Sequence, residues 1–258
     1  MVWLLQFPPV IVGMLWVTVI VGVSVGGLVV FRKLVSHSRL ENANEMSAPV
    51  FQLAGVLYAV LVAFVVVVVW EQFTEAEDAS AHEAAAVADL LRDSEALPDE
   101  ARLTVQRSLV AYARDVVADE FPRMQRGDTI EEQSDELLAV WRTYLSVQPE
   151  TRSEIAFFDH AIVRLNDLGA ERKLRVSTSE SAVPGELWVL LVGGGGVVMA
   201  FTFLFGTRDI VVHALAVGLT AALLAFVLYL IFALEHPYVG ALSVSPEAFT
   251  RVLQDWAP

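Results

Sequence analysis

The sequence predicts an all-α membrane protein with four transmembrane helices and a helical-bundle extramembrane domain between helices 2 and 3. Hydrophobic residues make up 55% of the 258 positions, and the mean hydropathy of +0.56 is too high for a soluble domain of this length. The apolar residues form four long runs, each long enough to cross a hydrocarbon core about 30 Å thick. Acidic residues concentrate in one intervening stretch. The predicted segments are 1–70, 71–186, 187–234 and a C-terminal amphipathic tail, 235–258.

The acidic stretch excludes several functions. Between Glu71 and Glu186 there are 25 Asp and Glu residues against 12 Lys and Arg. A nucleic-acid partner is not expected, because phosphate binding requires clustered basic side chains. The chain has no cysteine and none of the common hydrolase, zinc-protease or dinucleotide motifs. Asp78 and His82 alone are too few ligands for a metal site. We therefore predict no enzyme activity, cofactor or metal.

The first membrane helix is predicted from Val10 to Phe31. Gly22 and Gly26 form a G-x-x-x-G pair, which is typical of close helix packing in membranes. A short polar loop with several basic residues follows and is expected to end at Pro49.

The second membrane helix begins a long rod. Its uncharged apolar half runs from Val50 to Trp70, and no glycine or proline follows before Pro98. Strong helix formers fill that interval, so one continuous helix is predicted from about Pro49 to Asp93. A second small-residue seam is predicted on this rod at Gly55, Ala59 and Ala63.

Three further amphipathic helices are predicted in the acidic stretch. Pro98 opens the first and Pro122 ends it. The capping-box spacing of Thr129 and Glu132 opens the second, and Pro149 opens the third. With the end of the rod, these helices could form an antiparallel bundle. The third helix is expected to end near Gly169, before a Ser/Thr-rich linker at 177–184.

The third and fourth membrane helices are predicted at Leu187–Phe205 and Ile210–Leu234. The third carries four consecutive glycines ending at Gly196, which favour close packing, with a hinge or a widened pore as the alternative. Gly218 belongs to a small-residue seam on the fourth. The tail ends in a short helix whose apolar stripe includes Phe249.

An acidic face follows the apolar half of the rod. Glu71, Glu75 and Asp78 lie four and three residues apart, on one helical face directly beyond Trp70. One interpretation is a solvated face with Trp70 as an interface anchor. The other is a ring of carboxylates at the mouth of a pore, if several rods surround an axis. Tyr58, further back on the rod, is a further pore-lining candidate.

Three passages resemble the bestrophin-like family, a domain of unknown function in bacterial and plant membrane proteins. They are L-Y-A-V-L-V-A-F-V-V-V-V-V-W-E-Q-F (57–73), E-A-A-A-V-A-D-L-L-R (83–92) and L-E-H-P-Y-V-G-A-L-S-V-S-P-E-A-F (234–249). W-E-Q-F, at 70–73, is similar to W-N-Q-Y on the pore-lining helix of true bestrophins, which are oligomeric anion channels. No acidic run follows P-Y-V-G at 237–240, so their calcium clasp is not expected here.

The resemblance implies a multi-pass protein of the cell membrane, embedded in the lipid bilayer as a homo-oligomer. Its expected function is an ion channel for an inorganic ion, with transmembrane helix 2 lining the pore. The alternative is a membrane-anchored interaction or sensor module that signals through the continuous helix 50–93.

The basic residues give an expectation for orientation. Arg32, Lys33 and Arg39 follow the first crossing, and Arg208 lies between the last two. The positive-inside rule therefore places the two short loops in the cytoplasm and the acidic domain outside. The resemblance to true bestrophins implies the reverse, and we favour the charge pattern.

Overall fold

The computed structural model describes residues 8–35, 37–131, 133–240 and 242–256. All regular structure in these segments is helical, which confirms the predicted fold class. The helices are α1 (Pro9–Leu34), α2 (His37–Asp93), α3 (Asp99–Asp115), α4 (Phe121–Arg126), α5 (Asp135–Ser146), α6 (Arg152–Glu180), α7 (Gly185–Phe203), α8 (Ile210–Leu234) and α9 (Glu247–Trp256). A 3₁₀ turn, Ser94–Ala96, follows α2, and a π turn, Val116–Glu120, follows α3. Helices α1, α2, α7 and α8 are long and apolar enough to cross a membrane.

The described chain divides into two compact units. We call residues 8–71 and 182–235 the membrane unit, and residues 72–181 and 236–256 the bundle unit. The predicted C-terminal tail lies in the bundle unit, where Tyr238 and Phe249 are buried beside Phe121 with ring centroids 5.9 and 6.4 Å away.

Helix α2 begins earlier than predicted. The segment expected to be a loop ending at Pro49 is helical from His37, and Pro49 lies inside the helix. The contacts of the Asn44 side chain explain in part why this segment is helical. Its oxygen accepts the Gly206 N–H at 2.8 Å and its nitrogen donates to the Gly206 carbonyl at 3.0 Å. This two-point contact connects the start of α2 to the α7–α8 turn.

Two more polar contacts support the same turn. Arg32 of α1 donates to the Thr207 carbonyl. His213 is buried, and its Nε2 lies 2.9 Å from the Thr202 carbonyl oxygen at the end of α7. Backbone carbonyls near helix ends thus find partners in the membrane unit, as a low-dielectric environment requires.

At the other end of the membrane unit, a buried carboxylate connects α7 and α8. Glu235, directly after α8, accepts the Val183 N–H at 2.8 Å and the Trp188 Nε1–H at 3.0 Å. The chain entering α7 is therefore held at the end of α8.

The glycine run of α7 packs against Tyr58 of α2. The Tyr58 hydroxyl donates to the Leu191 carbonyl at 2.9 Å, and its ring covers the glycines. A Cβ atom at Gly194 would lie 2.8 Å from this ring, and one at Gly195 would lie 3.0 Å from the hydroxyl. These contacts match the predicted close packing. They do not include Gly196, whose added Cβ would meet nothing within 4 Å.

Within a single chain, most of the other predicted small-residue positions do not pack as expected. Only Gly218 packs as expected, since a Cβ there would lie 3.7–3.8 Å from Val21 and Val25. In the part of the chain that the structure describes, the remaining positions make no such contact: a Cβ at Gly22, Gly26 or Gly55 would meet nothing within 4 Å, and Ala59 and Ala63 are exposed. On α1 the contact runs instead through Gly13 against Tyr229 and Gly27 against Phe203. Small-residue spacing identifies a helix face but not the neighbour that the face meets.

In the bundle unit, the observed helix ends also differ from those predicted from the sequence. Helix α5 begins at Asp135 with Ser134 as its N-cap, whereas the predicted capping box involves Glu132, which lies outside the described residues. Helix α6 begins with a capping box formed by Thr151 and Glu154. It then continues through Gly169 and half of the predicted linker, because the packing of its buried face outweighs the low helix propensity of these residues.

We predict that Gly194→Ala destabilises the protein and Gly196→Ala does not. Alanine improves helix propensity at both positions, but at 194 its Cβ overlaps the Tyr58 ring. Overpacking lowers the free energy of unfolding by about 1–3 kcal/mol. For a chain of this size, each kcal/mol lowers Tm by about 2–4 °C. Thermal unfolding in detergent measures the difference. An equal fall in Tm in both variants would show that the Tyr58 contact is not responsible for the destabilisation.

Candidate functional site

One face of α2 remains exposed along most of the helix. Successive helical residues are rotated by about 100°, so the exposed positions between residues 53 and 82 that lie within about 40° of Glu71 form a single stripe. We call it the free stripe; its members are Leu53, Leu57, Val60, Phe64, Val67, Glu71, Glu75, Asp78 and His82. None of these side chains packs into the interior of the chain, although several are large and apolar.

The free stripe changes character within one helical turn. Phe64 and Val67 are 69% and 54% exposed, and the next member is Glu71. All members before this point are apolar, and Glu71, Glu75 and Asp78 beyond it are acidic. If this face of α2 only contacted lipid, there would be no reason for the same face to continue with carboxylates beyond Val67.

The opposite face of α2 is buried. It includes Tyr58, Val65, Val69, Ala76 and Glu83. Tyr58 lies about 140° from Glu71 around the helix axis, and its ring covers the α7 glycines. Tyr58 is therefore a packing residue in this structure, and its placement differs from the predicted pore-lining one. Trp70 lies beside the free stripe, about 100° from Glu71, and is 58% exposed.

A buried cluster of charged side chains holds the second half of α2 in the bundle unit. Arg175 of α6 donates to both oxygens of Glu83 on α2, at 2.6 and 3.0 Å. It also donates to Glu120 of the π turn. Arg172, one turn earlier on α6, donates to Glu120 at 2.7 Å and to the Glu131 carbonyl at 3.0 Å. The cluster thus joins three segments of the bundle unit.

Other buried groups complete the surroundings of Arg175. The Tyr112 hydroxyl donates to Glu83 at 2.5 Å. The Arg175 guanidinium lies 3.2 Å from the Met124 sulfur and 5.5 Å from the centroid of the Phe121 ring. Arg175 and Glu83 have no exposed side-chain surface.

The π turn places Glu120 in this cluster. Pro122 lacks the N–H that would bond to the Ala118 carbonyl, so the α-helical ladder is interrupted there. The sequence predicts that Pro122 ends the helix, but the backbone instead widens over Val116–Glu120 and continues as α4. The wider turn allows both Glu120 and Phe121 to be buried.

The charges of the cluster stabilise one another. Burial opposes ionisation of Arg175, but Glu83 and Glu120 outweigh that effect and raise its pKa well above the ordinary value. Burial alone would raise the pKa of Glu120, and the Arg175 and Arg172 guanidinium groups lower it below 4.5. Burial and the Glu83 carboxylate raise the pKa of Tyr112, which keeps its proton for the hydrogen bond.

Sequence reasoning missed this cluster, although one signal was present. The buried face of α6 contains Ala161, Leu165, Leu168, Arg172 and Arg175, at helical spacings of four, three, four and three. Two arginines on an apolar stripe indicate buried partners, because an unpaired buried charge is costly. The partners are distant in sequence and could not be identified from one chain.

A second acidic site lies near the cluster. Burial, followed by the neighbouring Glu136, Glu120 and Asp119 carboxylates, raises the pKa of Asp115 from 3.8 to about 6. The charge on Asp115 therefore opposes folding at neutral pH.

We predict that Arg175→Met destabilises the bundle far more than Tyr112→Phe. Removing one partner of a buried ion pair costs about 3–5 kcal/mol, whereas the loss of one hydrogen bond costs about 1 kcal/mol. The matched control is Arg102→Gln, because the Arg102–Asp99 pair is a surface pair and should contribute at most about 1 kcal/mol. Thermal unfolding, monitored by circular dichroism, gives the Tm of each variant and so ranks the three effects. Similar effects of Arg175→Met and Arg102→Gln would contradict a structural role for the cluster.

We also predict that Asp115→Asn raises Tm at pH 7.5 but not at pH 4. The folded state of the wild type holds its Asp115 proton up to about pH 6, and the unfolded state releases it near 3.8. Stability should thus fall as pH rises from about 4 to 6, and the asparagine variant avoids that loss. Asp255→Asn, which removes an exposed charge from α9, controls for net charge. An equal gain from both variants at pH 7.5 would reject the explanation.

Comparison with known proteins places this architecture in a family. The model of the bestrophin-like domain matches residues 18–249. A bacterial bestrophin homologue from Klebsiella pneumoniae, solved as a point variant, has a TM-score of 0.65 at 14% identity, covering 94% of this chain and 99% of its own. A second solved structure, a point variant of a membrane protein, has the same TM-score and coverage at 15% identity. A search of curated proteins finds no match. These identities support a shared fold alone, while the family match spans most of the sequence: the chain is a membrane protein of the bestrophin-like family.

Proposed function

We propose that this chain is one subunit of a homo-oligomeric ion channel in the cell membrane, with the free stripe of α2 lining the pathway. The observation that carries the proposal is the composition of that stripe. It runs exposed from Leu53 to His82 and passes from apolar to acidic between Val67 and Glu71. The bestrophin-like family and the bacterial bestrophin homologue of similar fold support the same architecture.

Around a shared axis, the two halves of the stripe would have different roles. Phe64 and Val67 from each subunit would form an apolar collar, which can gate conduction by excluding water. Glu71 would form the first carboxylate ring, followed by wider rings of Glu75 and Asp78. Stacked carboxylates attract cations and repel anions. We therefore propose a preference for cations, in contrast to the anion channels that the resemblance to true bestrophins suggests.

Subunit contacts have candidate surfaces on the same helices. Among the described residues, a Cβ at Gly22, Gly26 or Gly55 would meet nothing within 4 Å, and Ala59 and Ala63 are exposed. Small residues allow helices to approach closely in lipid, so these faces suit neighbouring subunits. Gly196, which is also open within the chain, belongs to the same group.

The second candidate function is a membrane-anchored sensor. The buried ion cluster favours it, because Arg175 of α6 joins Glu83 of α2 to Glu120 of the π turn. A ligand that altered the bundle could thus act on the continuous helix. A sensor of this kind would give no conductance in a bilayer.

We predict that Glu71→Gln lowers the cation-to-anion permeability ratio in planar bilayers. The substitution keeps the shape of the side chain and removes one charge per subunit at the narrowest acidic ring. Asp78→Asn should have a smaller effect, because its ring is wider and better hydrated. The control is Glu95→Gln, an exposed carboxylate in the 3₁₀ turn and outside the free stripe.

Three outcomes separate the interpretations. No conductance in the wild type rejects the channel and leaves the sensor. Conductance with an unchanged ratio in both stripe variants rejects only the carboxylate rings. A change as large in the Glu95 variant would indicate a general surface-charge effect.

A further inference from the structure

An apolar groove runs between α1 and α8 on the surface of the membrane unit. Its volume is about 470 Å³, and its lining is almost entirely apolar. Val21 and Val25 form one wall, and the α8 residues from Val211 to Ala222 form the other. Gly218 forms part of the floor, where a larger side chain would project into the space.

Cationic side chains collect at one end of this groove. Arg32 and Lys33 lie in the last turn of α1, and Arg208 lies in the turn before α8. Arg32 is seven residues beyond Val25, so it shares the face that lines the groove. Its bond to the Thr207 carbonyl holds the guanidinium beside the turn, and this group has five N–H donors in all. The nearby Asp209 carboxylate is engaged as the N-cap of α8, where it accepts two backbone N–H groups.

The length of the groove is that of one lipid leaflet. Eleven residues separate Val211 from Ala222, which corresponds to about 16 Å along a helix. Half of a hydrocarbon core about 30 Å thick is about 15 Å. The cations therefore lie at headgroup level when Ala222 lies near the midplane.

We infer that the α1–α8 groove binds an anionic phospholipid, with an acyl chain along α8 and the phosphate at Arg32, Lys33 and Arg208. The apolar lining excludes a polar ligand along the length of the groove. The basic end distinguishes an anionic headgroup from a zwitterionic one, since each cation near an anionic lipid surface contributes about 1 kcal/mol. This site is independent of the proposed conduction pathway.

The test uses the full chain, stripped of lipid in an uncharged detergent. Phosphatidylglycerol and phosphatidylcholine with identical acyl chains are added, and bound lipid is measured by native mass spectrometry and by the shift in Tm. The wild type should retain phosphatidylglycerol preferentially. Arg208→Gln and Lys33→Gln should each lower that preference about fivefold, the factor that corresponds to the contribution of one cation. Arg32→Gln is a weaker test, because it also removes the bond to the turn.

Two further variants test the groove itself. Gly218→Leu should reduce the binding of both lipids by filling the groove, whereas Gly193→Leu, at an open position on α7, should not. Arg251→Gln on α9 is the control for charge. Equal binding of the two lipids to the wild type, or an unchanged preference in both cation variants, overturns the inference. So does unchanged binding in Gly218→Leu, or a Tm shift with inorganic phosphate alone as large as that with the lipid.

Discussion

The Arg175 guanidinium is the group on which the bundle unit most depends. It is fully buried, so its charge is tolerated only while Glu83 and Glu120 both remain in place. Those carboxylates come from α2 and from the π turn, and Arg175 itself comes from α6. One charged group therefore sets the relative position of three segments. Glu83 points into the bundle, whereas Glu75, Asp78 and His82 remain exposed.

The membrane unit is held together by a different kind of interaction. Its helices contact one another through apolar side chains and glycines, as in the fit of Tyr58 against Gly194. Its directional polar contacts lie mostly at helix ends, where Asn44 binds Gly206 and Glu235 binds Val183 and Trp188. Hydrogen bonds at the ends can fix the order of the helices while their apolar surfaces remain available to lipid or to other subunits.

Much of this fold is readable in the sequence, because long apolar runs and strong helix formers act locally. The bounds of α8 agree with the prediction, and α2 ends at Asp93 as expected. The errors arise where distant partners override local signals. Pro49 and Gly169 lie inside helices that tertiary contacts stabilise. For the candidate site, helical spacing identifies the acidic face of α2, but it does not reveal that Tyr58 packs on the α7 glycines, which lie more than a hundred residues away. The Glu83–Arg175 pair is likewise not readable from the sequence, because its two residues are 92 positions apart.

The π turn at Val116–Glu120 has a consequence for chain length. A π turn contains one residue more than the α-helical turn that it replaces. Deleting a single residue here would remove that extra residue and rotate everything after it by about 100° relative to α3. Glu120 would then leave Arg172 and Arg175, and Phe121 would leave Tyr238. In this segment a deletion should therefore be tolerated less well than a substitution at an exposed position such as Ala118.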